Sequence, residues 1–257
     1  MKNTPIKEIE AKLREVKSAD DPYLNMLKND ERKGVRALLN RWEKRIEQDM
    51  QLHTQFEEMS QFESALYQQG CHHIAGVDEV GRGPLAGPVI AAAVILPKDF
   101  LLLGLTDSKK LSASKRAYFN EYIKEHAISY AFGIVDSKTI DRINIYEATK
   151  LAMRLAIEQL SVKADHLLID AMKLDLDIPQ TSIIKGDAKS ISIAASSVLA
   201  KEARDTYMKE LAAQYPEYGF EKNMGYGTSE HLEAIKEVGI MEEHRHSFSP
   251  VKELVVS

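Results

Sequence analysis

The chain has 257 residues, 44% of them hydrophobic and 28% charged, with a formal net charge of −5. This is the balance of a folded globular protein, not of a fibrous or disordered one, and the length allows one large domain or a domain with an appendage. The lone Cys71 excludes an internal disulfide, no segment has the order of a signal peptide, and the longest apolar run, Val89 to Leu96, is about half a membrane span, so a cytoplasmic protein without membrane attachment is expected.

Residues 1–70 are rich in Glu, Lys, Gln and Leu. Ile6, Ile9, Leu13 and Val16 share one helical face, and after the Asp20-Asp21-Pro22 break a second pattern runs through Val35, Leu38, Leu39, Trp42, Ile46, Phe56, Met59 and Leu66. Two or three helices are expected, forming an N-terminal all-helical extension over 1–70. At Gly70 the composition shifts to β-branched and small residues bounded by Gly and Pro, which sets a domain boundary there and a second domain over 71–257.

In that second part strands are expected at His73–Asp78, Pro88–Leu96 and Ile128–Val135, the first two close enough in sequence to pair as antiparallel neighbours. Leu167-Leu168-Ile169 and Thr181–Ile184 are two further short apolar runs. Tyr146–Leu160, Ser190–Ala213 and Ser229–Val238 carry helical spacing. The fold class is α/β, with a mixed five-stranded sheet flanked by helices.

Acids stand at three of these strand ends. Asp78 and Glu79 close an apolar strand just before the turn Gly81-Arg82-Gly83, Asp170 ends His166-Leu167-Leu168-Ile169, and Asp187 follows Ile183-Ile184-Lys185-Gly186. Each taken alone fits a turn or helix cap. Together they would converge at one sheet edge, where mutual repulsion calls for cations. An all-oxygen donor set without Cys or His suits Mg²⁺ or Mn²⁺, and two such ions suit phosphodiester hydrolysis. The net charge weighs little against a nucleic-acid substrate, because acids gathered around cations and lysines confined to one groove give the same sum. Asp175 and Asp177 sit in a polar loop before Pro179, and Asp99, Asp136 and Asp141 read as turn or cap residues.

The run from Gly76 through Asp78-Glu79-Val80-Gly81-Arg82-Gly83-Pro84-Leu85-Ala86-Gly87-Pro88 to Val89 resembles the signature of type 2 ribonucleases H. Asp107-Ser108-Lys109-Lys110-Leu111, Leu168-Ile169-Asp170, Lys185-Gly186-Asp187, Arg204-Asp205, Gly225-Tyr226-Gly227-Thr228 and His244-Arg245 agree with it in order, so the resemblance covers about residues 71–251 and leaves 1–70 outside. Ser196 stands where the family more often has alanine.

That resemblance implies a ribonuclease H-like fold in which Asp78, Glu79, Asp170 and Asp187 are catalytic and ligate two divalent ions, Mn²⁺ or Mg²⁺. It implies that Gly81, Arg82 and Gly83 approach the ribose 2′-hydroxyl and adjacent phosphates, that Tyr226 stacks on the sugar at an RNA–DNA junction, and that Lys109 faces substrate. The implied partner is nucleic acid, either an RNA–DNA hybrid or duplex DNA with embedded ribonucleotides, and the implied activity serves ribonucleotide removal and RNA primer removal. The Gly-Arg-Gly turn separates this pattern from that of the type 3 enzymes.

The alternative is a hybrid-duplex binding module that recruits proteins through its N-terminal helices. A dinucleotide fingerprint at Gly81–Gly87 is disfavoured, since its third glycine is one residue late and Pro84 and Pro88 oppose a following helix. Lys185, Lys189 and Lys201 suit phosphate contact or charge balance equally. Tyr226, between two glycines, is expected on an exposed loop, and His231, His244 and His246 as loose surface residues. Nothing demands an oligomer, and a monomer is expected.

Overall fold

A computed structural model describes residues 4–18 and 20–255. They divide into two compact units, one up to Glu57 and the other from Glu58. The first holds α1 (Ile6–Glu15), α2 (Pro22–Lys28) and most of α3 (Lys33–Met59). Ile9, Leu13 and Val16 meet Leu24, Leu27, Val35, Leu38, Leu39 and Trp42 in a small core, and the Trp42 indole N–H donates to the Val16 carbonyl at 3.0 Å.

The N-terminal helices exceed the two or three expected, because α4 (Gln61–Gln68) follows α3 after an interruption at Ser60. Asp21-Pro22 is a helix start as well as a break. Asp21 accepts the Tyr23 N–H at 2.8 Å as N-cap and Pro22 takes the first helical position, where a missing N–H costs nothing.

The second unit is built on β1 (Ile74–Val80), β2 (Val89–Ile95), β3 (Ser129–Val135), β4 (His166–Asp170) and β5 (Gln180–Ile183). Their order is β3-β2-β1-β4-β5, with β1–β2 and β2–β3 antiparallel and β1–β4 and β4–β5 parallel. This is the expected mixed five-stranded sheet. The remaining helices are α5 (Ala113–His126), α6 (Ser137–Ile143), α7 (Ile145–Glu158), α8 (Ile191–Gln214), α9 (Phe220–Asn223), α10 (Ser229–Val238) and α11 (Val251–Val255). Asp136 caps α6 by accepting the Thr139 N–H, and Asp141 accepts from the N–H groups of His246 and Ser247, so both acids are structural as expected.

β1 and β2 are apolar along almost their whole length because helices cover both faces of the sheet. On one face Ala75, Val77, Ala91, Ala93, Leu167 and Ile169 pack with Ala148, Ala152, Met153 and Ala156 of α7. On the other, Ile74, Leu168 and Ile183 meet Leu66 of α4 and Ile193 of α8. Helix α8 lies close against β1 because Gly76 has no side chain: a Cβ there would run into the Ser192 carbonyl. Glu63 of α4 holds the start of α8, accepting from Ser190 Oγ at 2.5 Å and from the Ser192 N–H at 3.0 Å. Among the described residues no helix is long and apolar enough to cross a membrane.

Gly76→Ala forces α8 away from the sheet and should lower stability by about 1–3 kcal/mol. Urea unfolding measures this, and an unchanged midpoint would contradict the close packing of α8 on β1.

Candidate active site at the ends of the central strands

Parallel pairing of Val77 with Ile169 brings Asp78 and Asp170 side by side, both on the α8 face by strand alternation. Asp78 is 5% exposed. Burial raises its carboxyl well above the usual range, and the charges of Glu79 and Asp170 add to the effect. Ser197 of α8 hydrogen-bonds this carboxylate and opposes the shift, and Ser197 Oγ is itself 3.0 Å from Ser108 Oγ. Asp170 accepts the Gly186 N–H at 2.6 Å, which ties β4 to the turn carrying Asp187.

Glu79 is the last residue but one of β1. Burial raises its pKa, the Arg82 guanidinium 3.4 Å away lowers it, and Asp170 raises it again. Its Oε2 is buried without a hydrogen-bond partner. Asp187 is half-buried, pushed up by burial, by Asp107 and by Asp170, and pulled down by Lys109. The four predicted acids and Lys109 therefore share one electrostatic neighbourhood. Asp107, not singled out from the sequence, joins them. Lys201 instead pairs with Asp205 at 2.5 Å.

The donor set fits a hard divalent cation in its chemistry, being carboxylate-only, desolvated and self-repelling, with one buried oxygen unpartnered. Among the described residues, no group of three or more His, Cys, Asp or Glu side chains is so placed that it could hold a metal ion.

Beside the acids runs the glycine turn. Gly81 has φ +93°, a left-handed conformation, and a Cβ there would strike Arg204 and the Pro88 carbonyl. Gly83 is exposed, and a Cβ there would stand 3.6 Å from the Tyr226 ring. Gly83 is thus the open position of the turn, and Tyr226, 47% exposed on its loop as expected, lies next to it.

Two fully buried arginines hold these loops together. Arg245 donates to the carbonyls of Gly81, Arg82 and Gly87, and Arg204 to those of Ala86, Pro88 and Met224. Their positions in the sequence give no sign of this burial. His231 and His244 are likewise buried, at 0% and 1% exposure, which corrects the expectation of loose surface residues. Tyr218 and Phe220 surround them edge-on, and their Nε2 atoms lie 3.1 Å apart.

The family model Ribonuclease HII matches residues 75–251, and the model Ribonuclease HII N-terminal domain matches residues 5–67. The chain belongs to the ribonuclease HII family. The second match extends the resemblance into the helices, which the motif reading had left outside it. The chain is 55% identical over 255 residues to "Ribonuclease HII" of Geobacillus sp. (strain WCH70), covering 99% of this chain and 92% of the relative. It is 55% identical to that of Bacillus cereus (strain G9842), covering 99% of both.

The fold resembles the ribonuclease H2 of Pyrococcus horikoshii OT3, with a TM-score of 0.61 and 24% identity over 71% of this chain and 96% of that one. It also resembles Bst-RNase HIII in complex with Mn²⁺, with a TM-score of 0.55 and 20% identity over 75% and 72%. The chain is accordingly an endoribonuclease hydrolase of a family that degrades RNA in RNA–DNA hybrids.

Burial lowers the His244 pKa from its ordinary 6.5 to about 4, and the facing His231 adds to the shift. Between those values the unfolded chain binds the extra proton and the folded one does not, so the His244 contribution to stability is intact above about 6.5 and lost as pH falls toward about 4. Urea midpoints across that range should fall more steeply for the wild type than for His244→Phe. Equal slopes would contradict a neutral buried imidazole.

Proposed function

We propose that the chain hydrolyses the RNA strand of RNA–DNA hybrids and cuts on the 5′ side of single ribonucleotides embedded in duplex DNA, leaving 5′-phosphate and 3′-hydroxyl ends. The reading rests on one juxtaposition: a buried carboxylate cluster beside an open glycine turn and an exposed tyrosine. Asp78, Glu79, Asp170 and Asp187 would hold two divalent ions, Mn²⁺ or Mg²⁺, which when bound supply positive charge for the attacking water and the departing oxygen.

The chain's own groups do the recognition. At Gly83 the backbone can approach a ribose without a Cβ in the way, and a 2′-hydroxyl is the group that separates RNA from DNA at a given nucleotide. Arg82, exposed and lightly paired to Glu79, can swing to an adjacent phosphate and clamp it with two N–H groups. Lys109, exposed near Asp187, gives a second phosphate contact. Tyr226 offers a flat face to the sugar next to Gly83.

All of these residues fall within 71–257, which we assign as the catalytic domain, with 1–70 as a helical extension. The expected setting is the cytoplasm, in ribonucleotide and RNA primer removal from DNA.

Cleavage of a DNA duplex bearing one ribonucleotide, with Mg²⁺, Mn²⁺ or chelator, tests the reading. Cutting 5′ of the ribonucleotide should require metal and spare an all-DNA control. In Asp78→Asn and Asp170→Asn it should fall by more than the roughly 10–100-fold typical of losing an outer-shell partner, with the fold retained. Full activity in both variants sinks the metal assignment, whereas cutting of long hybrids alone discards the junction reading.

A further inference from the structure

Tyr226 sits between two glycines, so its ring can serve as a platform only if its backbone is fixed. The Tyr226 N–H donates to the Asn223 carbonyl at 2.9 Å, and the Tyr226 carbonyl accepts the Thr228 N–H at 2.8 Å. A second partner for that carbonyl is His231 Nδ1, 2.9 Å away. A carbonyl only accepts, so Nδ1 of His231 carries the hydrogen and Nε2 of the neutral ring is an acceptor. His244 Nε2, 3.1 Å away, must then be the donor. That leaves His244 Nδ1 as an acceptor, and it faces the Met241 N–H at 3.0 Å.

One placement of two protons thus satisfies all four ring nitrogens. It runs in a single direction, from the Met241 peptide through both imidazoles to the Tyr226 carbonyl. The pair is enclosed by Tyr218 and Phe220, an environment that two apolar rings would fill without needing any polar partner. What an imidazole pair adds is an aimed donor at the Tyr226 peptide.

We propose that His231 and His244 are positioning residues that set Tyr226 against substrate through this directed hydrogen-bond chain. The proposal rests on the reading of Tyr226 as a substrate contact. It requires that His231 act through Tyr226 and that the donor, not the ring volume, matter.

The test is a double-mutant cycle on a duplex with one ribonucleotide, reading KM and kcat separately for His231→Phe, His231→Asn and Tyr226→Ala, and for each His231 variant combined with Tyr226→Ala. His231→Phe should raise KM about tenfold with kcat within about twofold, and should change KM by less than about twofold once Tyr226 is alanine. His231→Asn, whose amide can still reach the Tyr226 carbonyl, should recover most of the lost KM. Equal effects of His231→Phe in both backgrounds would overturn the proposal alone. A normal KM for Tyr226→Ala would overturn the substrate role of Tyr226 and the proposal with it.

A measurement on the unaltered protein stands whether or not the variants fold. Nitrogen-15 correlation spectra of the imidazoles should show His231 protonated at Nδ1 and His244 at Nε2. The reverse tautomers would overturn the relay.

Discussion

The parallel pairing of β1 with β4 governs the rest of the molecule, because it sets Asp78, almost wholly out of water, beside the half-buried Asp170. An ionised Asp78 so placed loses hydration and is repelled by Glu79 and Asp170, and both effects favour its protonation. Several local features act against that outcome. The Ser197 hydroxyl does so at Asp78, and the Arg82 guanidinium, 3.4 Å away, does so at Glu79. The absence of a Cβ at Gly76 and the capping of α8 by Glu63 bring Ser197 to where it is needed.

The second half of the site is held by cations bound to neutral carbonyls. Arg204 and Arg245 are buried and donate to peptide oxygens of the Gly81–Pro88 segment and of Met224. A guanidinium with its fan of donors can fasten several turns of loop at once, which a lysine cannot do. The segment after β1 and the loop before Tyr226 consequently share one anchor, and Gly83 and Tyr226 lie next to each other.

The legibility of this arrangement follows from range. An acid at or just after the end of an apolar run is a local pattern, so Asp78, Glu79, Asp170 and Asp187 could be picked out from their neighbours in sequence. Short apolar runs bounded by Gly and Pro, together with the family run, then pointed to the sheet and the turn. What stayed hidden depends on tertiary contact. His231 and His244 are thirteen residues apart and look polar until Tyr218 and Phe220 close over them. Asp107 reads as the start of a turn, which it caps, and becomes part of the acid neighbourhood only when that turn lies beside Asp187. Ser197 is one of several serines in α8, distinguished only by the register that α8 adopts on β1.

We propose that the crowded acids are a cation site, and Mn²⁺ binding to the full chain, followed by calorimetry in the absence of nucleic acid, tests this most directly. The account predicts saturable binding that is lost or strongly weakened in Asp170→Asn while that variant's far-ultraviolet circular dichroism matches the wild type. Equal Mn²⁺ affinity in the two proteins would contradict it.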